Sequence, residues 1–256
     1  CAARGRRYRA LRSCRSSGMA RPGRARRQGR NCIPHRDLRR TAGQGGVVGR
    51  IIHTDADVAE GAEWLASREP RFAAALALTG ALPLRRRDDG FGALLDAIIG
   101  QQVSTASARA ILARLAAAGL TDEALVAAAS DDDLRACGLS RQKIRYAGGV
   151  ARAGLDYAGL RGLPDDQVVA VLVALPGIGR WTAEIYAMFA LGRADVFAPG
   201  DLALQEAARG LFALPARPDE KALRALAADW SPWRSVAARI LWAYYRVMRQ
   251  RDGVFG

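Results

Sequence analysis

The sequence contains few lysines and few cysteines, and acidic residues are almost absent from its first part. Only two of the thirty-nine basic residues are lysines, Lys143 and Lys221, so few side chains are available as an amine nucleophile. Three of the four cysteines precede residue 49, and Cys137 stands alone after it. This distribution excludes a disulfide framework and a four-cysteine iron-sulfur cluster in residues 49–256.

Long apolar runs and alternating strand patterns are also missing. Without an uncharged apolar run of about 20 residues, the sequence predicts neither a membrane span nor a signal peptide, and we expect a cytoplasmic protein. From Thr54 onward apolar residues return every three or four positions, which predicts an all-α fold. We expect helices at roughly 55–67, 70–79, 91–100, 104–118, 122–129, 131–137, 141–153, 165–174, 180–191, 202–213, 219–229 and 232–250.

The net charge of +14 is concentrated at one end of the chain. Residues 1–48 hold fourteen arginines and the single acidic residue Asp37, whereas residues 49–256 hold twenty-five basic and twenty-four acidic residues. We therefore expect residues 1–48 to be a disordered or misassigned basic extension, and residues 49–256 to form the folded domain. A nearly neutral domain that binds a polyanion must do so through local asymmetry of charge.

The segment LPGIG, residues 175–179, interrupts two helical patterns. Pro176 ends the first helix, and Gly177 and Gly179 permit a tight turn before a new helix begins at Arg180. Such a hairpin brings backbone N–H groups and a helix N-terminus close to a ligand, which suits a phosphate. The turn by itself favours an ordinary connection between two helices.

Four motifs together resemble the helix-hairpin-helix DNA glycosylases. LPGIGRWTA is followed by DVFAPGD, and AIIGQQVS (97–104) and DWSPWRSVAARILWAYY (229–245) extend the similarity over most of residues 50–250. The match is most similar to the alkylpurine branch, bacterial 3-methyladenine glycosylase II, in a compact form without the N-terminal β domain of larger relatives. It implies two helical subdomains flanking an active-site cleft, a central one at about 91–198 and a second one from about 50–90 and 199–250.

By its place in the motif, Asp201 matches the catalytic aspartate of that family. Its position after Pro199 and Gly200 also makes it a helix N-cap, and a helix N-terminus favours the ionised carboxylate that the chemistry requires. Such a carboxylate stabilises positive charge that develops on the sugar and orients water. Asp195 is the nearby alternative, which we interpret as a turn or surface residue.

The resemblance also assigns a base pocket. Trp181 and Trp242 match its aromatic positions, although tryptophans in an α protein are often core residues, as we expect for Trp64, Trp230 and Trp233. Ile185 and Leu202 occupy two positions that are aromatic in some members. With fewer aromatic rings to stack on the base, excision depends more on a weak glycosidic bond in the lesion itself. We therefore expect release of 3-methyladenine and 7-methylguanine before hypoxanthine or ethenoadenine.

The loop GQQVS matches the family element that fills the gap left by a flipped base, with Gln102 as the wedge and Gln101 as its neighbour. Without the resemblance, both glutamines would be interpreted as ordinary exposed loop residues. The predicted contacts with DNA phosphate are the hairpin residues Gly177, Ile178, Gly179, Arg180 and Thr182. Basic side chains expected on the DNA face are Arg141, Lys143, Arg145, Arg180 and Arg234.

The resulting hypothesis is a monofunctional glycosylase that binds duplex DNA as a monomer and hydrolyses alkylated purines from it. Bifunctional relatives carry a lysine where this chain has Trp181, so a lyase lacks its nucleophile. We expect no catalytic metal and no iron-sulfur cluster; the resemblance implies at most a structural monovalent cation at the hairpin carbonyls. A non-catalytic DNA-binding module and, less favoured, a bifunctional oxidised-base glycosylase/lyase are the alternatives.

Overall fold

The computed structural model describes residues 47–254, which form thirteen α-helices, a 3₁₀ turn and one isolated β bridge between Ile51 and Arg193. The helices are α1 (Asp55–Arg68), α2 (Pro70–Thr79), α3 (Phe91–Gly100), α4 (Thr105–Ala117), α5 (Glu123–Ala128), α6 (Asp131–Ala136), α7 (Arg141–Ala151), α8 (Tyr157–Leu160), α9 (Asp165–Val173), α10 (Arg180–Phe189), α11 (Leu202–Leu211), α12 (Glu220–Leu226) and α13 (Arg234–Val254). The predicted basic extension, residues 1–48, lies outside the described residues except for its last two.

The all-α prediction is confirmed, because local caps start the helices where the sequence predicted them. In α1 the Thr54 hydroxyl accepts the N–H of Asp57, and the Asp57 carboxylate accepts the N–H of Thr54. Two details differ from the prediction. The four-residue helix α8 was missed because it is too short to show periodicity, and the helix expected at 219–229 ends at Leu226 and continues as a 3₁₀ turn, Ala227–Trp230.

The helices pack in two groups that share the α10–α11 connection. Helix α13 packs against α1, α2 and α11, while α3 packs against α4, α7 and α10, and α9 packs against α10. An edge-to-face and stacked cluster of Phe72, Phe197, Phe212 and Trp230 fills the core of the first group. Trp230 and Trp233 are buried, as expected of core residues. The division into two subdomains with the predicted boundaries stays a prediction.

The connection between α10 and α11 is unusual because most of its residues are buried. Its backbone polar groups therefore need partners, and residue 192 pairs with the N-terminal segment by accepting the N–H of Ile52 at 2.7 Å. The fully buried Arg193 donates to the carbonyls of Leu160 and Arg161, and its guanidinium lies 3.4 Å from the carboxylate of Asp165. These contacts fix the backbone conformation of the connection that leads to residue 201.

Candidate active site

Asp201 is the N-cap residue of α11. Its Oδ1 accepts the backbone N–H groups of Ala203 at 2.9 Å and Leu204 at 3.1 Å. The backbone N–H of Asp201 in turn donates to the carbonyl of Ala198, which closes the turn before the helix. The capping interpretation is therefore confirmed. A carboxylate held by these N–H groups is fixed in direction.

Two indole rings donate to the same carboxylate from opposite parts of the fold. Nε1 of Trp181, near the start of α10, donates to Oδ2 of Asp201 at 3.0 Å. Nε1 of Trp242, in the middle of α13, donates to Oδ1 at 3.2 Å. The structure thus brings together three predicted site residues that lie as many as 61 positions apart in the sequence.

The acceptor capacity of Asp201 is used unevenly. Among the partners that residues 47–254 supply, Oδ1 accepts from two backbone N–H groups and from Trp242, whereas Oδ2 accepts only from Trp181. Oδ2 therefore has lone-pair capacity left for a water molecule or for a positively charged group. Its partner Trp181 is 47% exposed, whereas Trp242, the indole partner of Oδ1, is half-buried.

A second row of side chains supports Trp242. The ring of Phe189 lies 5.7 Å from that of Trp242, centroid to centroid, and Cζ of the buried Arg239 lies 4.8 Å from the centroid of Phe189. Burial lowers the pKa of Arg239 to about 10, and the nearby Arg85 and Arg86 add to this shift. Sequence reasoning missed Phe189 and Arg239, although Arg239 precedes Trp242 by three residues and a helix places such pairs on one face.

Ile185 follows Trp181 on α10, and Leu202 follows Asp201 at the start of α11. Ile185 is half-buried, one turn after Trp181, and packs against the hydrophobic core. Leu202 is 57% exposed at the first position of α11, next to Asp201. An exposed aliphatic side chain at this position provides apolar surface for a ligand but no hydrogen-bonding group.

The hairpin between α9 and α10 has the predicted form, with different roles for its two glycines. Gly177 adopts φ +81°, and a Cβ there would overlap the Tyr146 ring, so a side chain is excluded. Gly179 has an ordinary φ of −81° and open space beside it. Ile178 and Thr182 are buried, whereas Gly179 and Arg180 are exposed. Within the described residues no side chain caps the N-terminus of α10, which leaves its first N–H groups available to an anion.

The loop between α3 and α4 contacts the hairpin. Nε2 of the half-buried Gln101 donates to the carbonyl of Gly177 at 2.9 Å. Gln102 is exposed and adopts φ +56°, the left-handed region that non-glycine residues seldom occupy. The two predicted wedge residues therefore differ: Gln101 joins the loop to the hairpin, and Gln102 projects from a strained backbone position.

Three of the five basic residues expected on the DNA face have partners within the fold. Lys143 is only 8% exposed and donates to the carbonyl of Ile99. Arg234 binds both oxygens of Asp195 at 2.8 Å, and Arg180 is paired with the buried Glu184 at 3.2 Å. The sequence shows that these side chains are charged, but it does not show which groups in the fold bind them. The remaining two, Arg141 and Arg145, are exposed.

Asp195, the alternative acid, is held by an ion pair. Besides the two bonds from Arg234, its Oδ2 accepts the Ser231 hydroxyl at 2.8 Å. These bonds join the α10–α11 connection to the start of α13, which is a structural role. Among residues 47–254, no group of three or more His, Cys, Asp or Glu side chains is arranged to hold a metal ion, and no helix is both long and apolar enough to cross a membrane.

Comparison with known proteins finds one family model and several relatives that are similar to this chain. Residues 95–232 match the model of the HhH-GPD superfamily base excision DNA repair proteins. DNA-3-methyladenine glycosylase 2 of Escherichia coli is 32% identical over 170 residues, which are 60% of this chain and 57% of that protein. The chain spans 58% or less of the length of the curated relatives it matches.

Solved structures match over more of their length. A DNA-3-methyladenine glycosidase from Bacillus halodurans superposes with a TM-score of 0.69 and 30% identity, covering 74% of this chain and 91% of that one. A 3-methyladenine DNA glycosylase of Schizosaccharomyces pombe, in complex with abasic DNA, superposes with a TM-score of 0.62 and 26% identity, covering 72% and 95%.

Proposed function

The chain belongs to the HhH-GPD superfamily of base excision DNA repair proteins, and from this premise we propose that it is a monofunctional DNA glycosylase acting on alkylated purines. The observation that carries the proposal is the carboxylate of Asp201 with an indole N–H on each oxygen. A module that only binds DNA needs the hairpin but has no use for a carboxylate oriented in this way.

The proposed reaction is hydrolysis of the glycosidic bond. The C1′–N bond breaks and its electron pair leaves with the base, so that positive charge develops on the sugar. The carboxylate of Asp201 stabilises this charge without having to be reoriented, because backbone and indole N–H groups already fix it. Water then adds to C1′ from the side of Oδ2 and releases its proton to solvent, leaving an abasic site.

The proposed substrates are 3-methyladenine and 7-methylguanine. In DNA these bases are electron-poor or cationic, they leave without prior protonation, and they stack favourably on an indole face such as that of Trp181. Ile185 and Leu202 add apolar contact but no hydrogen-bonding group that would bind a neutral lesion more tightly. Hypoxanthine is therefore expected to be released much more slowly than 3-methyladenine, and equal rates would contradict this specificity.

Duplex DNA is the proposed partner, bound by a cytoplasmic monomer. The exposed start of α10, with Gly179 and Arg180, contacts a phosphate, and Gln102 fills the space vacated by the flipped base. Arg141 and Arg145 are the exposed cations that add salt-dependent affinity. A structural monovalent cation at the hairpin carbonyls would stiffen the turn and take no part in bond breaking.

The test is base release from methylated duplex DNA, with the products identified by chromatography. Release of 3-methyladenine or 7-methylguanine supports the proposal. Tight, salt-sensitive binding to an abasic-site analogue without any release would instead indicate a non-catalytic binding module. A covalent DNA adduct trapped by borohydride would indicate a lyase, against the expectation from Trp181 in the lysine position.

A further inference from the structure

Lys143 is buried, yet its charge is matched by no carboxylate in the described part of the chain. The residue is 8% exposed, and burial alone lowers the pKa of its ammonium group. Its Nζ donates to the carbonyl of Ile99 at 2.6 Å. Burying an ammonium group is costly, so its retention at this position calls for a specific interaction.

The interaction is with the end of α3. Ile99 is the penultimate residue of that helix, and its carbonyl is one of the last four, which lack partners within the helix. A cation at this end also interacts favourably with the helix dipole. Lys143, delivered from the first turn of α7, therefore caps α3 across 44 residues of sequence.

The loop that follows α3 is held at two further points. Gln101 donates to the hairpin carbonyl of Gly177, and Ser104 caps α4 by accepting the N–H of Ser107. Between these points, Gln102 holds its positive φ. A strained residue persists only when its surroundings hold it in place, and Lys143 supplies that support on the α3 side.

We propose that Lys143 is a positioning residue for base flipping: by capping α3 it holds Gln102 in the conformation that enters the gap in the duplex. The inference rests on the proposed function. The role it assigns to Lys143 differs from that of a lyase nucleophile and from that of a side chain that binds phosphate. Lys143 itself touches neither the base nor the sugar.

A duplex-specific defect is the signature of this role, because single-stranded DNA has no stacked gap to fill. Lys143→Met is expected to lower kcat/KM for base release from duplex DNA about tenfold or more, the scale of a misplaced catalytic element, and to leave release from single-stranded methylated DNA within about twofold. The matched control is Lys221→Met at the other lysine, exposed on α12, which should change neither rate.

A double-mutant cycle identifies the residue through which Lys143 acts. In a Gln102→Ala background, Lys143→Met is expected to cause no further loss, because the wedge is already absent. Additive losses, or equal losses on duplex and single-stranded DNA, would overturn the proposal. Lys143→Arg keeps the cation and the donor and should retain duplex activity. If Lys143→Met does not fold, the folded Lys143→Arg variant still tests the proposal. An equal loss of base release from duplex and from single-stranded DNA in that variant would overturn it.

A fluorescence assay keeps the test separate from catalysis. The probe is duplex DNA with 2-aminopurine beside a tetrahydrofuran abasic analogue, whose emission rises when the helix is locally unstacked. The parent protein and Lys221→Met should raise this emission and Lys143→Met should not. If the parent raises emission but releases no base, the proposed function fails while the role of Lys143 stands; if Lys143→Met matches the parent, the role fails whatever the activity.

Discussion

Replacing Asp201 with asparagine removes one negative charge and little else. Asparagine caps helices about as well as aspartate, so the bonds from Ala203 and Leu204 to Oδ1 are expected to persist. The bond from Trp242 also ends on Oδ1 and can remain. At Oδ2 the amide NH₂ would face the N–H of Trp181, so that contact is lost. The substitution therefore tests charge far more than shape.

The expected effect on the rate follows from Coulomb's law. A carboxylate about 4 Å from a developing unit charge contributes about 4 kcal/mol at an effective dielectric constant of about 20. Solvent reaches this site past Trp181, which is 47% exposed, and reduces the figure. We therefore expect single-turnover base release to fall about 100- to 1,000-fold in Asp201→Asn, in the range seen when one preorganised electrostatic group is removed.

Asp195→Asn is the matched control. Asp195 lies six residues earlier, but its oxygens are bound by Arg234 and Ser231, so its loss should weaken the fold rather than the chemistry. We expect a cost of about 1 kcal/mol, or a Tm lower by about 2–4 °C, with base release per folded molecule unchanged. Retention of more than a tenth of the parent rate by Asp201→Asn, or a larger rate loss in folded Asp195→Asn, would refute the assignment.

Three further predictions concern neighbouring features. Trp242→Phe keeps the ring packed on Phe189 but removes one donor from Asp201, so base release should fall about tenfold with little change in Tm; an unchanged rate would show that this bond is incidental. Gly177→Ala places a Cβ at positive φ against Tyr146 and should cost about 1–3 kcal/mol of stability, read from thermal unfolding beside Gly179→Ala, whose Tm should hardly move. The N–H groups of His53 and Thr54 hold the pKa of Asp57 below its usual 3.8. The ionised Asp57 therefore stabilises the fold above pH 3.8, and this stabilisation is lost as the pH falls through the lower pKa of the folded state. The Tm difference between the parent and Asp57→Asn should shrink below about pH 4, and a difference that stays constant with pH would contradict this linkage.

The helices were predictable because their signals are local. Thr54 and Asp57 form a capping box within one turn, and Ser104 and Ser140 start α4 and α7 at the predicted positions. Helix α8 was not predicted, since four residues show no period. Neither was the 3₁₀ continuation after Leu226, where helical periodicity does not distinguish the two helix types.

The site was predictable only where a motif named its members. Asp201, Trp181 and Trp242 follow from the motif, and the contacts that bring them together come from the structure. Phe189 lies outside the quoted motifs, and Arg239 lies within the last of them but is given no role by it, because both act by packing behind Trp242 from two different helices. Their involvement depends on the angle and distance between α10 and α13, which neither helix encodes alone.

By itself the sequence determined the helical class, the hairpin and its glycine, the aspartate at a helix start and the absence of a lysine nucleophile in the motif. The tertiary structure alone decided which charges are available. Lys143 and Arg234 look like surface cations in the sequence, but Ile99 and Asp195, 44 and 39 residues away, engage them in the fold. Helix propensity and caps act within a turn, whereas burial and hydrogen-bond partners depend on every element packed nearby, so the chemistry of a charged residue is settled only when the chain has folded around it.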